Sequence, residues 1–129
     1  MILMTGILSL LLAVSPMTAS FYGEAFHGNP TASGEIYDMN AMTAAHVEME
    51  FGTRLLLTRG SNAVIVEVTD RGPYCFEALR EGYLEPHPTR QLDLSKAAFQ
   101  RLTPLEKGII DVNVTVLPNK VYPLPDWRR

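Results

Sequence analysis

The stretch Ile109 to Leu117 constrains the fold more than any other. Ile110, Val112, Val114 and Val116 interleave with Ile109, Asp111, Asn113 and Thr115, and a period of two over that length specifies a strand with one buried face. Two further apolar runs lie close together. Arg54 to Thr58 reads Arg-Leu-Leu-Leu-Thr, a continuous buried-strand pattern, and after the Ser61-Asn62 turn Ala63 to Thr69 is rich in β-branched residues. Phe21-Tyr22 and Glu35 to Tyr37 are predicted as shorter strands. A helix is predicted over 94–102, where Leu94, Ala98 and Leu102 recur at i+4 spacing with Ser95 as N-cap. Thr103-Pro104-Leu105-Glu106, closed by Gly108, reads as a one-turn capping box with Pro at N1 and Glu at N3. Five or six short strands with one or two small helices describe an all-β chain folded as a compact barrel. A doubly wound sheet would need more alternating helices.

A length of 129 residues suits one domain. With 11 Lys and Arg against 14 Asp and Glu, the chain carries a formal charge of −3, which argues against nucleic acid as a partner because phosphate binding requires a basic surface. Cys75 is the single cysteine, so neither an intramolecular disulfide nor a cysteine-cluster metal site is available. His27, His46 and His87 lack paired spacing, so no metal and no cofactor is called for. Residues 1–19 contain no charged side chain, and Ile2 to Val14 is apolar apart from Thr5, Gly6 and Ser9. This segment resembles a secretory signal with a cleavage junction at Ala19-Ser20; an uncleaved N-terminal anchor or an upstream start codon are the alternatives. The expectation is an exported product, periplasmic or secreted. No lipid-attachment cysteine follows the apolar run, because Cys75 lies deep in the domain, so lipid anchoring is not expected. The barrel is then assigned to residues 20–118, and 119–129 to a Pro-rich basic tail.

Three segments are unusual for scaffolding. Between Phe21 and Glu35, glycines at 23, 28 and 34 permit tight turns, and the aromatic side chains among them offer a face for sugar rings. His46 titrates nearest neutrality and can move a proton, although a hydrogen-bonded structural histidine has the same appearance in sequence. Asp70 ends the strongest strand at an Arg-Gly-Pro turn. There it is placed either to cap the turn or to sit in a cleft whose burial raises its pKa, with Arg71 as a potential counter-charge. Asp93 precedes the helix, where it either complements the helix N-terminus or supplies a second acid. Two carboxylates brought together across a barrel are the usual equipment for glycoside cleavage.

The ordered blocks Ala19-Ser20-Phe21-Tyr22-Gly23, Phe26-His27-Gly28, Thr31-Ala32-Ser33-Gly34-Glu35, Tyr37, Met39 to His46, Asp70-Arg71-Gly72-Pro73 and Asp93-Leu94-Ser95 resemble the rare lipoprotein A (RlpA) family. The resemblance implies a six-stranded double-psi β-barrel related to expansins and family 45 endoglucanases. It also implies endolytic cleavage of peptidoglycan, between N-acetylmuramic acid and N-acetylglucosamine in peptide-stripped strands, with 1,6-anhydro ends. The family's essential pair falls on His46 and Asp70, and the acid of the related families on Asp93. Asp70 is then expected to protonate the glycosidic oxygen, the muramic acid 6-hydroxyl captures the cation, and His46 or the same carboxylate takes the hydroxyl proton. Tyr22, Phe26, Thr31, Ser33, Tyr37 and Arg71 are the candidate substrate contacts. Peptidoglycan strands are the expected partner, with cell-division or wall-remodelling proteins as further partners and a monomer favoured. A non-catalytic expansin-like glycan binder and an inverting glycoside hydrolase are the alternative functions. The stretch Tyr74 to Gln91 is longer than the family's usual loop, and Phe21 stands at its usual tryptophan.

Overall fold

The computed structural model describes residues 12–118. In chain order the elements are β1 (Val14–Tyr22), β2 (Thr43–Ala45), β3 (Arg54–Arg59), β4 (Asn62–Asp70), α1 (Phe76–Arg80), β5 (Leu92–Ser95), α2 (Lys96–Leu102) and β6 (Ile110–Val116). The strands close a barrel in the order β1-β5-β2-β4-β3-β6. β1 runs parallel to β5 and β2 parallel to β4, while the remaining pairs are antiparallel. This is a double-psi barrel of mainly β structure, as the sequence indicated.

Alternation decides which side chains fill it. Val64, Val66 and Val68 of β4, and Ile110, Val112 and Val114 of β6, point inward and are buried, while Ile65 and Asp111 face out. β3 behaves likewise: Leu55 and Leu57 are fully buried and Leu56 only partly, so this strand alternates rather than being buried continuously. α2 contributes Ala98, Phe99 and Leu102 to the same core, and the Phe21 ring packs on Phe99 with centroids 4.8 Å apart. Its N-cap is Ser95, whose Oγ accepts from the Ala98 N–H at 3.2 Å.

Four expectations need correction. β1 begins at Val14, not at Phe21, and its first six residues form the whole antiparallel register with β6, so the barrel starts ahead of residue 20. The reason is compositional: an uncharged, largely apolar run suits a barrel strand as well as a targeting segment. Glu35 to Tyr37 is not a strand, because its sole ladder contact is the isolated bridge Pro30–Ile36. Leu94 and Ser95 belong to β5, where they pair with Phe21 and Tyr22 of β1, and the helix starts at Lys96. After α2, Leu105–Lys107 forms a 3-10 turn with Pro104 at the N-cap and no side-chain cap, so the Thr103 capping box does not form, although Gly108 does close the turn. The stretch Tyr74 to Gln91 contains α1, which the sequence reading did not anticipate. Cys75 is free and half-buried. The tail 119–129 and residues 1–11 of the N-terminal apolar segment lie outside the described residues.

Candidate active site

Strand register alone assembles the central row of the site. Ala45 of β2 pairs with Asp93 of β5 on one side and with Asp70 of β4 on the other, while Asp93 in turn pairs with Ser20 of β1. A register shift between Ala44 and Ala45 skips Thr69 and brings Asp70 into this row. Adjacent strands are spaced by about 4.8 Å, so the two aspartates stand within about 10 Å of each other at their Cα atoms, with Ala45 between them in the row. The row opens into a cleft of about 170 Å³ lined by Tyr22, Phe26, Ala45, Asp70, Arg71 and Asp93. Larger surface hollows elsewhere are lined by α2 and the turn after it, by α1, or by β3 and β4 together with Met42 and Arg101, and contain neither aspartate.

Each carboxylate is held differently. Asp70 Oδ1 accepts two backbone N–H groups, from Ala32 at 2.9 Å and from Arg71 at 2.8 Å. The Ala32 donor is supplied by a turn that ties itself together. Glu35 N–H donates to Ser33 Oγ, the Ser33 and Thr31 hydroxyls lie 2.9 Å apart, and Thr31 Oγ1 donates to the Glu35 carbonyl at 2.7 Å. Gly34 closes this turn at φ +92°, a conformation other residues rarely adopt. Asp93 Oδ1 accepts from Ser20 Oγ at 2.9 Å, and the Arg90 guanidinium donates to that same Ser20 oxygen. Burial pushes the Asp93 carboxyl above the ordinary aspartate range. The Ser20 hydroxyl and Arg90 oppose the shift, the Asp70 charge reinforces it, and His87 opposes it.

Tyr22 forms the aromatic wall. Its ring stacks on Tyr37 with centroids 4.2 Å apart and meets Phe26 edge-on at 6.0 Å. Burial, and after it the Asp70, Tyr37 and Asp93 charges, hold the Tyr22 phenol well above its usual range; the nearby Thr43 hydroxyl opposes this weakly. The Tyr22 and Thr43 hydroxyls are both buried without a partner of hydrogen-bond geometry. Phe26 is half exposed and forms the rim.

The structure therefore gathers Asp70, Asp93, Tyr22, Phe26 and Arg71 at one cleft. The other sequence candidates do not line it. Tyr37 is buried: its hydroxyl donates to the Tyr22 carbonyl at 2.5 Å and accepts from the Lys96 N–H at 3.2 Å, so it is a post beneath the wall, not a surface for substrate. Thr31 and Ser33 shape the turn that presents Ala32 to Asp70. His46 is buried, and its Nδ1 accepts from the Glu48 and Met49 N–H groups at 3.1 Å each, which leaves the ring proton on Nε2. Burial lowers its pKa, with Glu48 opposing and Arg71 reinforcing. His46 and Asp70 are joined through the main chain, His46 N–H to Asp70 carbonyl at 3.2 Å, and the imidazole is not among the groups lining the cleft. Arg71 makes no ion pair with Asp70 among the described residues. Its guanidinium donates to the Met49 carbonyl at 2.8 Å and the His46 carbonyl at 3.2 Å and lies 3.9 Å over the Phe51 ring. Among the described residues no three His, Cys, Asp or Glu side chains cluster as metal ligands. Ala45, Ser20 and Arg90 were not singled out as site residues from sequence. Strand pairing reveals Ala45 and Ser20, and the loop ahead of β5 brings Arg90 to Ser20, 70 positions away in sequence.

Residues 15–114 match the family model described as lytic transglycolase. The chain is similar to the probable endolytic peptidoglycan transglycosylase RlpA of Treponema pallidum, 46% identical over 98 residues, covering 74% of this chain and 27% of that one. It is also similar to the endolytic peptidoglycan transglycosylase RlpA of Neisseria meningitidis, 38% identical over 111 residues, covering 84% and 41%. The chain thus spans well under half the length of these relatives. Among solved structures, the Streptomyces papain inhibitor superposes with a TM-score of 0.61 at 18% identity, covering 82% of this chain and 96% of that one. A Clavibacter michiganensis expansin in complex with cellohexaose superposes with a TM-score of 0.61 at 20% identity, covering 86% and 54%. At these identities the two structures speak for the fold alone. Motif order, barrel topology and the family match over 15–114 agree, and the chain belongs to the lytic transglycolase family of double-psi β-barrels.

Proposed function

We propose that this chain is an endolytic peptidoglycan transglycosylase. It cleaves the bond between N-acetylmuramic acid and N-acetylglucosamine in peptide-stripped strands and leaves 1,6-anhydro ends. The observation that carries this reading is the placement of Asp93 and Asp70 on either side of Ala45 in one aromatic-walled cleft. Relatives named for that activity support it.

The different surroundings of the two carboxyls divide the work. Asp93, raised by burial, is suited to the role of proton donor. It protonates the glycosidic oxygen as the C1–O bond breaks. Asp70, whose Oδ1 is fixed as an acceptor by two N–H groups, faces the developing oxocarbenium charge. As the muramic acid O6 attacks C1, Asp70 takes the 6-hydroxyl proton, so no water is consumed and one proton returns from Asp70 to Asp93 between turnovers. This assignment moves the donor role from Asp70, expected from sequence, to Asp93. His46 acts indirectly, through the loop that holds Arg71 and the main chain of Asp70. The reading includes export to the wall, with any cleavage falling ahead of Val14, because β1 is part of the barrel.

Mass spectrometry of purified glycan strands after digestion tests the proposal. Anhydromuramyl ends are expected. New reducing ends would identify an inverting hydrolase instead, and retention of intact strands without cleavage would identify a glycan-binding module.

A further inference from the structure

We infer that Arg90 and Ser20 are positioning residues that decide which oxygen of Asp93 carries the transferable proton. The inference rests on the donor role proposed for Asp93 and starts from the hydrogen-bond capacity of three groups. A guanidinium only donates, an ionised carboxylate only accepts, and a hydroxyl has one proton to give. Ser20 Oγ sits between the other two: Arg90 donates to it, so its single proton goes to Asp93 Oδ1 at 2.9 Å. Oδ1 is thereby committed as an acceptor. The proton of the acid form resides on Oδ2, which has no protein donor among the described residues and belongs to a side chain that lines the cleft. Ser20 is itself buried and pairs directly with Asp93 across β1 and β5, so its hydroxyl is not free to reorient into water.

Arg90 is held in place with comparable care. His87 Nδ1 accepts from the Arg90 N–H at 3.1 Å and from the Thr89 N–H at 3.1 Å. Next to it, Gln91 clasps β1 through two bonds, Gln91 N–H to the Thr18 carbonyl at 2.9 Å and Thr18 N–H to Gln91 Oε1 at 2.8 Å. The end of the long 74–91 stretch thus delivers a cation to Ser20. Seen from Asp93, the charged and titratable groups are Asp70 from β4, Tyr22 from β1, Tyr37 from the 23–42 segment, and His87 and Arg90 from the loop before β5, with Arg71 on the same cleft wall. Only Arg90 both carries a positive charge and reaches Asp93 through a hydrogen-bonded hydroxyl.

Two readouts on the full chain test this: the pH profile of anhydromuramyl-end formation, and the titration of the Asp93 carboxyl followed by its ¹³C resonance. The acid form of Asp93 is the active one, so activity falls as pH rises through its titration. Ser20→Ala and Arg90→Met each remove a group that favours the carboxylate, so in both the Asp93 titration and the alkaline limb move to higher pH. The plateau kcat drops about tenfold, the worth of one hydrogen bond to a charged group, with KM little changed. Ser20→Thr keeps the hydroxyl and restores the wild-type profile. A purely structural role would lower activity without moving either curve. Unmoved curves in folded Ser20→Ala or in Arg90→Met overturn the inference, and if Ser20→Ala does not fold, Arg90→Met decides alone. Should wild-type protein form no anhydro ends, the proposed function fails while the carboxyl titration still settles the role of Ser20 and Arg90.

Discussion

Removing residues 1–19, the cut that the apolar N-terminus suggests, should wreck the barrel, not trim it. A chain beginning at Ser20 loses all six β1–β6 pairs, from Val14–Thr115 to Ala19–Ile110. Pro16 has no N–H, so about five net hydrogen bonds go, each worth about 1 kcal/mol. The ordering entropy returned by six residues, about 1 kcal/mol or more each, offsets that loss. What is not offset is the uncovered core. Ala19 is fully buried and Met17 packs on the same cluster, opposite Ile110 and Val112, with Val114 the next inward residue. Full burial of such a side chain contributes about 1.5–3 kcal/mol, and stripping one covering strand from three of them forfeits about half of it, about 3–4 kcal/mol in all. A domain this size shifts by about 4–8 °C per kcal/mol, so the midpoint should fall by about 12 °C or more, and β6 would expose an unpaired edge that invites aggregation. Thermal unfolding by circular dichroism, comparing chains that begin at Leu12 and at Ser20, measures this. A cooperative transition within about 3 °C of the longer chain would refute the placement of Val14–Ala19 in the barrel.

Two further predictions concern titration and stability. Because the folded-state pKa of Asp93 is raised, its contribution to stability is intact below the ordinary aspartate value and is lost as pH rises through the folded value. Asp93→Asn removes that loss, so the variant should melt a few degrees above wild type at neutral pH, on the order of 1 kcal/mol, with the gap closing below about pH 4. The His46 pKa is lowered in the fold, so the unfolded chain takes up the proton first and stability falls as pH drops from about 6.5 toward the folded value. His46→Gln should flatten that slope in pH-dependent melts; an unchanged slope would contradict the buried, neutral imidazole.

Period-two alternation made β6 legible, while a continuous apolar run marked β3 and β-branched residues marked β4, each of which has one buried and one wetter face in the fold. Ser95 was legible as a helix cap for a similarly local reason. β2 and β5 were not: at three and four residues they are too short to show a period, and their pairing is fixed by partners far away in sequence. The site divides along the same line. Asp70 and Asp93 stood out as carboxylates at element ends, and the aromatic wall of Tyr22 and Phe26 followed from glycine-spaced rings. Tyr37, Thr31, Ser33 and His46 carry the same residue types but face inward or into their own turns, and nothing local distinguishes the two situations. Ala45 and Ser20 matter because of register, and Arg90 because of the loop that carries it beside Ser20; no local pattern records either.

The central claim is that Asp70 and Asp93 act together on one glycosidic bond. The most direct test is the single-turnover rate of anhydromuramyl-end formation by Asp70→Asn, by Asp93→Asn and by the double variant. Each single change should cost at least about 10²-fold, and the double variant should lose far less than the product of the two, because partners in one step fail together. A single variant that keeps the wild-type rate, or losses that multiply, would contradict the shared-cleft mechanism.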